Sequence, residues 1–402
     1  MDFETWWLIF VPVLFGLGWM AARFDFRQML SETRALPDSY FKGLNFLLNE
    51  EPDRAIDAFI EVAKLDPETT ELHFALGSLF RRRGEIERAI RVHQSLLSRQ
   101  DLPLADRENA QLALAQDFFK AGMLDRAEQG FQAITHTRHA QEAIRALIRI
   151  YESEHDWLRA IDTVQQLRGR ANEAVPQLCH YHCEIAQALL AARPVDAPAV
   201  VAALDAADNA ARQHGATPAA ETRIRLLRAQ WAAQCGDLDA QRLQLLDILK
   251  SAPEYAGLVA QAVLDCHIAL GRGAEGLDIL RAQYQRLPTL DLFNVVFRAL
   301  RAQQGAGPAW AYGRQVLQTH PSLLGLDRLL EVELAQDGAP PDQGLAPGAD
   351  LGLLRSLIHK HTQRLDRYAC SQCGFEAQRY YWQCPGCNAW ETYRPRRLEE
   401  IR

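Results

Sequence analysis

Four of the eight cysteines in this 402-residue chain crowd into two C-x-x-C turns, Cys370-Ser371-Gln372-Cys373 and Cys384-Pro385-Gly386-Cys387. Each turn lets two thiolates converge on one ion while backbone N–H groups point at the sulfurs. Two such turns facing each other make a closed tetrahedral four-sulfur site. Gly374 and Asn388 follow the second cysteine of each turn, where a left-handed backbone is wanted and both residues permit it. Phe375, Tyr380, Tyr381, Trp382 and Trp390 supply the apolar cover that so small a module needs. Buried thiols or disulfides are the alternative, and the spacing tells against both. A closed shell leaves no position for substrate, so hydrolytic metal chemistry is not expected. Softness and geometry fit zinc and iron alike.

Other constellations are weaker. In Cys179-His180-Tyr181-His182-Cys183 the two cysteines share a helix face, but the two histidines diverge by about 200°. The group reads as core packing, as do Cys235 and Cys266 within their helical patterns. Arg81-Arg82-Arg83-Gly84 closes a helix, where basic residues suit the dipole. Arg81 and Arg82 also align with Lys120, Arg145 and Arg149 at positions facing the groove of a repeat array, a possible partner-binding strip. Phosphate-binding loops, nucleophile elbows, zinc-protease helices and dinucleotide fingerprints do not occur, and nothing points to an enzyme.

The elements that must position these residues repeat. Gly43, Phe46, Ala55 and Phe59 recur 34 residues later as Gly77, Phe80, Ala89 and His93. The same internal offsets of 0, 3, 12 and 16 recur in Ala115, Phe118, Ala127 and Phe131, then in Ile148, Tyr151, Ala160 and Val164. This resembles the tetratricopeptide-repeat (TPR) signature, with small residues where paired helices touch and large ones filling the seam. One helix pair cannot bury its apolar stripe alone, so neighbours stack into a solenoid with a concave face. Degenerate units follow around Trp231/Ala240, around His267/Gly276/Leu280 and around Trp310/Tyr312. The period breaks at ARPVDAPA, which reads as a longer loop. The fold class is therefore mainly α, with an array over residues 23–335 of about eight or nine helix pairs. A Gly/Pro-rich linker (336–350) and residues 351–402, an amphipathic helix leading into a small β module, complete the chain.

At the other end, residues 6–22 are 17 positions without a charge, about 25 Å as a helix, with Trp6, Trp7 and Trp19 near the ends. Asp2 and Glu4 precede it, unlike the basic start of a cleaved signal peptide. Residues 1–22 thus read as a retained single-pass anchor. Arg23, Arg27 and Arg34 follow it, so the remainder is expected in the cytoplasm, with the N-terminus on the far side of the membrane.

Composition agrees. With 48% apolar and 24% charged residues, wholesale disorder, collagen and a multi-span membrane protein are excluded. A net charge of −7 gives no broad footprint for nucleic acid. Residues 351–402 hold nine Lys/Arg against five Asp/Glu, leaving −11 on residues 1–350.

The order of anchor, TPR array and terminal C-x-x-C-G…C-P-x-C with the block CGFEAQRYYWQCPGCNAW resembles the lipopolysaccharide assembly protein B family of Gram-negative bacteria. That resemblance implies a rubredoxin-like module whose Cys370, Cys373, Cys384 and Cys387 bind one iron ion, zinc being the alternative. It implies restraint of lipopolysaccharide synthesis: degradation of the lipid A-committing deacetylase is promoted together with the membrane protease FtsH, and a lipopolysaccharide-sensing membrane protein modulates this. The hairpin is shorter than in true rubredoxins and Asn388 replaces their usual glycine, which bears on electron transfer more than on metal binding. An electron carrier and a general scaffold for envelope-synthesis enzymes are the other readings.

Overall fold

The computed structural model describes residues 38–49, 51–65, 69–171, 174–215, 217–334 and 347–401, with Phe15, Gly16 and Trp19 besides. The anchor expected at 1–22 otherwise lies outside the described residues. Among the described residues no helix is long and apolar enough to cross a membrane.

Two compact units divide the chain, residues 1–150 and 151–402. The first holds α1 (Asp38–Leu48), α2 (Pro52–Leu65), α3 (Thr70–Arg83), α4 (Ile86–Ser98), α5 (Leu104–Lys120), α6 (Leu124–Ala133) and most of α7 (Ala140–Glu154). The second continues with α8 (Trp157–Ala171), α9 (Leu178–Ala191), α10 (Ala197–His214), α11 (Pro218–Gln234) and α12 (Leu238–Ser251). It goes on through α13 (Ala256–Ala269), α14 (Gly273–Arg286), α15 (Leu290–Gln304), α16 (Ala306–Thr319), α17 (Leu323–Leu334) and α18 (Pro347–Thr362). The last elements are a two-stranded antiparallel ribbon, β1 (Tyr368–Ala369) with β2 (Glu376–Ala377), and α19 (Leu398–Ile401). This is a TPR helical-hairpin array carrying a small C-terminal β module.

The 34-residue spacing has a steric cause. A methyl group on Gly43 would lie 2.6 Å from the Phe59 ring, and one on Gly77 would lie 2.3 Å from His93. The residue one helix earlier must therefore be small for the large one to seat. Ala55, Ala89 and Ala127, at the intervening contact, are wholly buried. Each such core aromatic contributes roughly 2–3 kcal/mol by its burial. Gly84 ends α3 at φ 86°, and the N–H of Glu85 reaches back to Phe80 O, a left-handed helix stop. At the turn between α7 and α8 the left-handed position falls to His155, with φ 56°.

The loop expected at ARPVDAPA is present: five residues separate α9 from α10, against one to three within the other helix pairs, and Asp196 caps α10 by accepting from Ala199 N at 3.1 Å. Two details differ from the sequence expectation. The helix expected from residue 351 begins at Pro347 and ends at Thr362, inside the span assigned to linker, while residues 336–346 lie outside the described residues. Its leucines 353, 354 and 357 are exposed rather than packed. Polar contacts hold it instead: His359 Nδ1 lies 3.0 Å and Arg355 Nε 3.6 Å from the carboxylate of buried Asp327 on α17.

Candidate metal centre

The two turns meet as their spacing requires. All four Sγ atoms of Cys370, Cys373, Cys384 and Cys387 lie within 4.8 Å of one another. Cys370–Cys387 measures 3.8 Å and Cys373–Cys384 measures 3.6 Å. These are not disulfide distances. A tetrahedron with metal–sulfur bonds of about 2.3 Å has edges of about 3.8 Å, so the arrangement fits a four-coordinate ion. Gly374 and Asn388 take φ of 75° and 58°, the left-handed backbone expected there. That fold-back aims Cys373 N and Gln372 N at Cys370 Sγ and Gly386 N at Cys384 Sγ, at 3.4–3.5 Å.

Proton affinities in the cluster are split. Burial opposes ionisation of Cys370, yet the Thr392 hydroxyl at 3.2 Å and two backbone N–H groups outweigh it and bring the thiol down to about 6. At Cys387 the Ala389 N–H favours the thiolate, but burial and the neighbouring sulfurs prevail and push it up to about 12. A bound cation removes that competition by taking the place of the protons. Cys384 is fully buried, whereas Cys373 lies at the exposed edge of the cluster.

The module's own core is small: Tyr368, Cys370, Cys384 and Tyr393. The aromatic residues expected to cover the metal divide instead into two groups. Phe375 and Tyr381 are exposed, while Tyr380, Trp382 and Trp390 turn onto the helices of the second unit. Trp390 stacks on His180 with ring centroids 4.8 Å apart and donates its indole N–H to Glu152 at 2.8 Å. Tyr181 donates to the same carboxylate oxygen at 2.7 Å. Trp382 stacks on Tyr255. Glu391 accepts from His180 Nε2 and from Thr217 Oγ1, the residue that also caps α11 through Ala220 N.

Arg223 completes this surface. Almost wholly buried, it donates to Glu184 at 2.5 Å and to Gln187, and its charge sits 5.8 Å from the rings of both Trp382 and Trp390. Farther along, Arg397 clasps Asp291 with Nε and Nη2, and Tyr368 donates to the same carboxylate at 2.6 Å. Glu399 accepts the first N–H groups of α17 from Leu323 and Leu324. Residues 368–400 are thus fastened along the first helix of one repeat after another.

His180 and Tyr181, read in sequence as core, are docking residues. Their signal was a helix that buried its polar aromatic groups on the same turns as its cysteines. Cys179, Cys183 and Cys266 are buried as expected, while Cys235 is exposed, one residue past the end of α11.

The five basic candidates also converge, within the first unit. Arg81, Arg82, Lys120, Arg145 and Arg149 line one groove of about 740 Å³ with Phe119, Phe131 and Glu142. Arg81 differs from the rest. Its Nη1 donates to Asp117 at 2.9 Å and to Ala113 O at 3.0 Å, and Asp117, wholly buried, also holds His93 Nδ1 at 2.5 Å.

Residues 368–395 match the family model described as a rubredoxin metal binding domain. Lipopolysaccharide assembly protein B of Escherichia coli (strain K12) is 29% identical over 391 residues, covering 96% of this chain and 97% of that one. The likeness to lipopolysaccharide assembly protein B runs nearly end to end. The protein of that name from Haemophilus influenzae is 24% identical, with 96% and 97% covered. The C-terminal part of a TPR repeat-containing protein from Cytophaga hutchinsonii, a solved structure, is 10% identical, with 68% of this chain and 98% of that one covered and a TM-score of 0.41.

Proposed function

We propose that this chain is a non-enzymatic adaptor of the inner membrane that restrains lipopolysaccharide synthesis. The observation that carries the reading is the near end-to-end likeness to lipopolysaccharide assembly protein B, array and metal module together. In this role residues 1–22 fix the chain in the membrane with its soluble part in the cytoplasm. The array grips the lipid A-committing deacetylase and presents it to FtsH, and a lipopolysaccharide-sensing membrane protein sets the rate. Sharing one membrane with the protease raises effective concentration without any new contact.

The metal, iron by family resemblance with zinc as alternative, would be held by Cys370, Cys373, Cys384 and Cys387 and would supply folding free energy to a module with four core side chains. The module's broad docking supports a structural role. The exposed edge at Cys373 is the feature that favours an electron carrier. Zinc substitution separates the two, since an adaptor keeps its function with zinc and a carrier loses it.

The test is crosslinked pull-down of the tagged full chain from membranes. Recovery of FtsH and the deacetylase supports the proposal. Recovery of several envelope-synthesis enzymes without a protease would favour a general scaffold.

A further inference from the structure

The helix α18 keeps its contacts on one side and its leucines on the other. Arg355 and His359 turn to Asp327 on α17, and Thr362 is buried. At roughly 100° per residue the opposite side reads Leu353, Leu357 and Lys360 in one row, with Leu354 and His361 beside it. The three leucines are 62%, 53% and 47% exposed in the order 353, 357, 354, a contiguous apolar patch rather than single scattered side chains. Charges around it have one sign. No acid occurs between Leu351 and Leu365. Asp366, Glu376, Glu391, Glu399 and Glu400, the five acids of residues 351–402, are all held in ion pairs or cap bonds. Lys360, Arg379 and Arg394 are exposed with no acid at ion-pair distance among the described residues. Arg364, just past α18, forks onto Glu376 of β2 at 2.7 Å, so the ribbon adjoins the end of the helix, and the module adds exposed Phe375 and Tyr381.

We infer that the outer side of α18 rests on an anionic lipid surface. Its leucines enter the boundary between headgroups and acyl chains, and Lys360 lays its apolar stem beside them with its ammonium at the phosphates. A negatively charged leaflet attracts the free cations and meets no carboxylate that would repel it. A protein groove fits less well. Helices that dock in such grooves present apolar anchors at i, i+3, i+4 and i+7. Counted from Leu353, those positions hold Ser356, Leu357 and Lys360, so two of the four anchors are polar. The inference rests on the membrane-anchored reading and adds that the second unit touches the same membrane through its own helix.

The experiment reconstitutes the full chain through residues 1–22 into vesicles of phosphatidylcholine, with or without phosphatidylglycerol, carrying photoreactive benzoylphenylalanine in place of Leu357. Flotation with the vesicles reads the anchor, and photocrosslinking to lipid reads α18. Lipid adducts should form with phosphatidylglycerol present, fall several-fold without it, and fade as salt is raised. The same probe at Leu243, an exposed leucine of α12, should give none. Lys360→Glu should cut the adducts at position 357 several-fold with an unchanged circular dichroism spectrum. In the chain without the probe, hydrogen exchange of residues 351–362 should slow on phosphatidylglycerol vesicles. Adducts to a second copy of the chain in place of lipid, equal adducts in the two kinds of vesicle, or equal adducts at Leu243 and Leu357 overturn the inference. A chain that floats but gives no lipid adduct at position 357 refutes the contact and leaves the anchor standing. A chain that floats with neither vesicle removes the anchor reading, and this inference with it.

Discussion

His180 Nε2 donates to Glu391 Oε1 across 2.7 Å, joining α9 to the metal-binding module over 211 residues of sequence. Burial holds the histidine below its ordinary pKa, so the ring is neutral. The tautomer then follows from its neighbours: Nε2–H faces the carboxylate, and Nδ1 faces Arg223 Nη1 at 3.4 Å as an acceptor. Glu391→Ala would leave the His180 and Thr217 donors without that acceptor, costing roughly 1–3 kcal/mol. Hydrogen exchange should quicken in α9 and α11, and Glu391→Gln, which keeps the acceptor oxygen, should be milder. Equal exchange in all three proteins would show that this contact does not hold the module.

Acid should destabilise the second unit. His180, His182 and His214 all have pKa values lowered by burial. Between the folded and unfolded values the unfolded chain binds more protons, so stability is present above about pH 6.5 and falls as pH drops below it. Burial raises the Glu391 carboxyl, but hydrogen bonds from His180 and Thr217 outweigh it and hold it below the usual carboxylate value, so its contribution fades at still lower pH. The melting temperature of the second unit should decline from pH 7.5 to pH 5.5. A flat profile would mean that these histidines titrate alike in both states.

Replacing Cys370 or Cys384 by Ser should abolish metal binding, because one lost thiolate opens the shell. Binding free energies for structural metal in small modules reach roughly 10 kcal/mol or more. Residues 368–395 should lose exchange protection, and α9, α11 and α13 should lose part of theirs because Trp390, Glu391 and Trp382 leave them. Continued protection of 368–395 without metal would contradict a structural site.

Asp117 carries the buried network of the first unit. Asp117→Ala leaves Arg81 and His93 without their shared partner and should cost about 3–5 kcal/mol. Arg81→Glu should destabilise too, since it sets a second carboxylate against Asp117. Arg149→Glu, on the exposed rim of the groove, should leave the thermal midpoint unchanged. A neutral Arg81→Glu would return Arg81 to the binding surface.

Periodic steric demands are what sequence carries well. Gly43 and Gly77 had to be small because Phe59 and His93 sit on them, and that requirement shows as a 34-residue repeat. The left-handed positions at Gly374 and Asn388 were legible for the same reason, since few residue types tolerate them. Docking was not legible, because its partners have no fixed spacing: Glu152, His180, Arg223, Asp291 and Glu391 meet only once the chain has folded. Exposed Leu353, Leu354 and Leu357 show the converse failure, an apolar periodicity that marks a helix without saying what covers it. The basic strip was half legible: repeat register placed all five cations at the groove, but not the burial that commits Arg81 to Asp117.

The most direct test of the adaptor role is the half-life of the deacetylase in cells after protein synthesis is stopped, with and without this chain. With the full chain and active FtsH the enzyme should be short-lived; deleting the chain, or supplying it without residues 1–22, should stabilise it several-fold. An unchanged half-life on deletion, or full turnover with the anchorless form, would contradict a membrane-tethered adaptor.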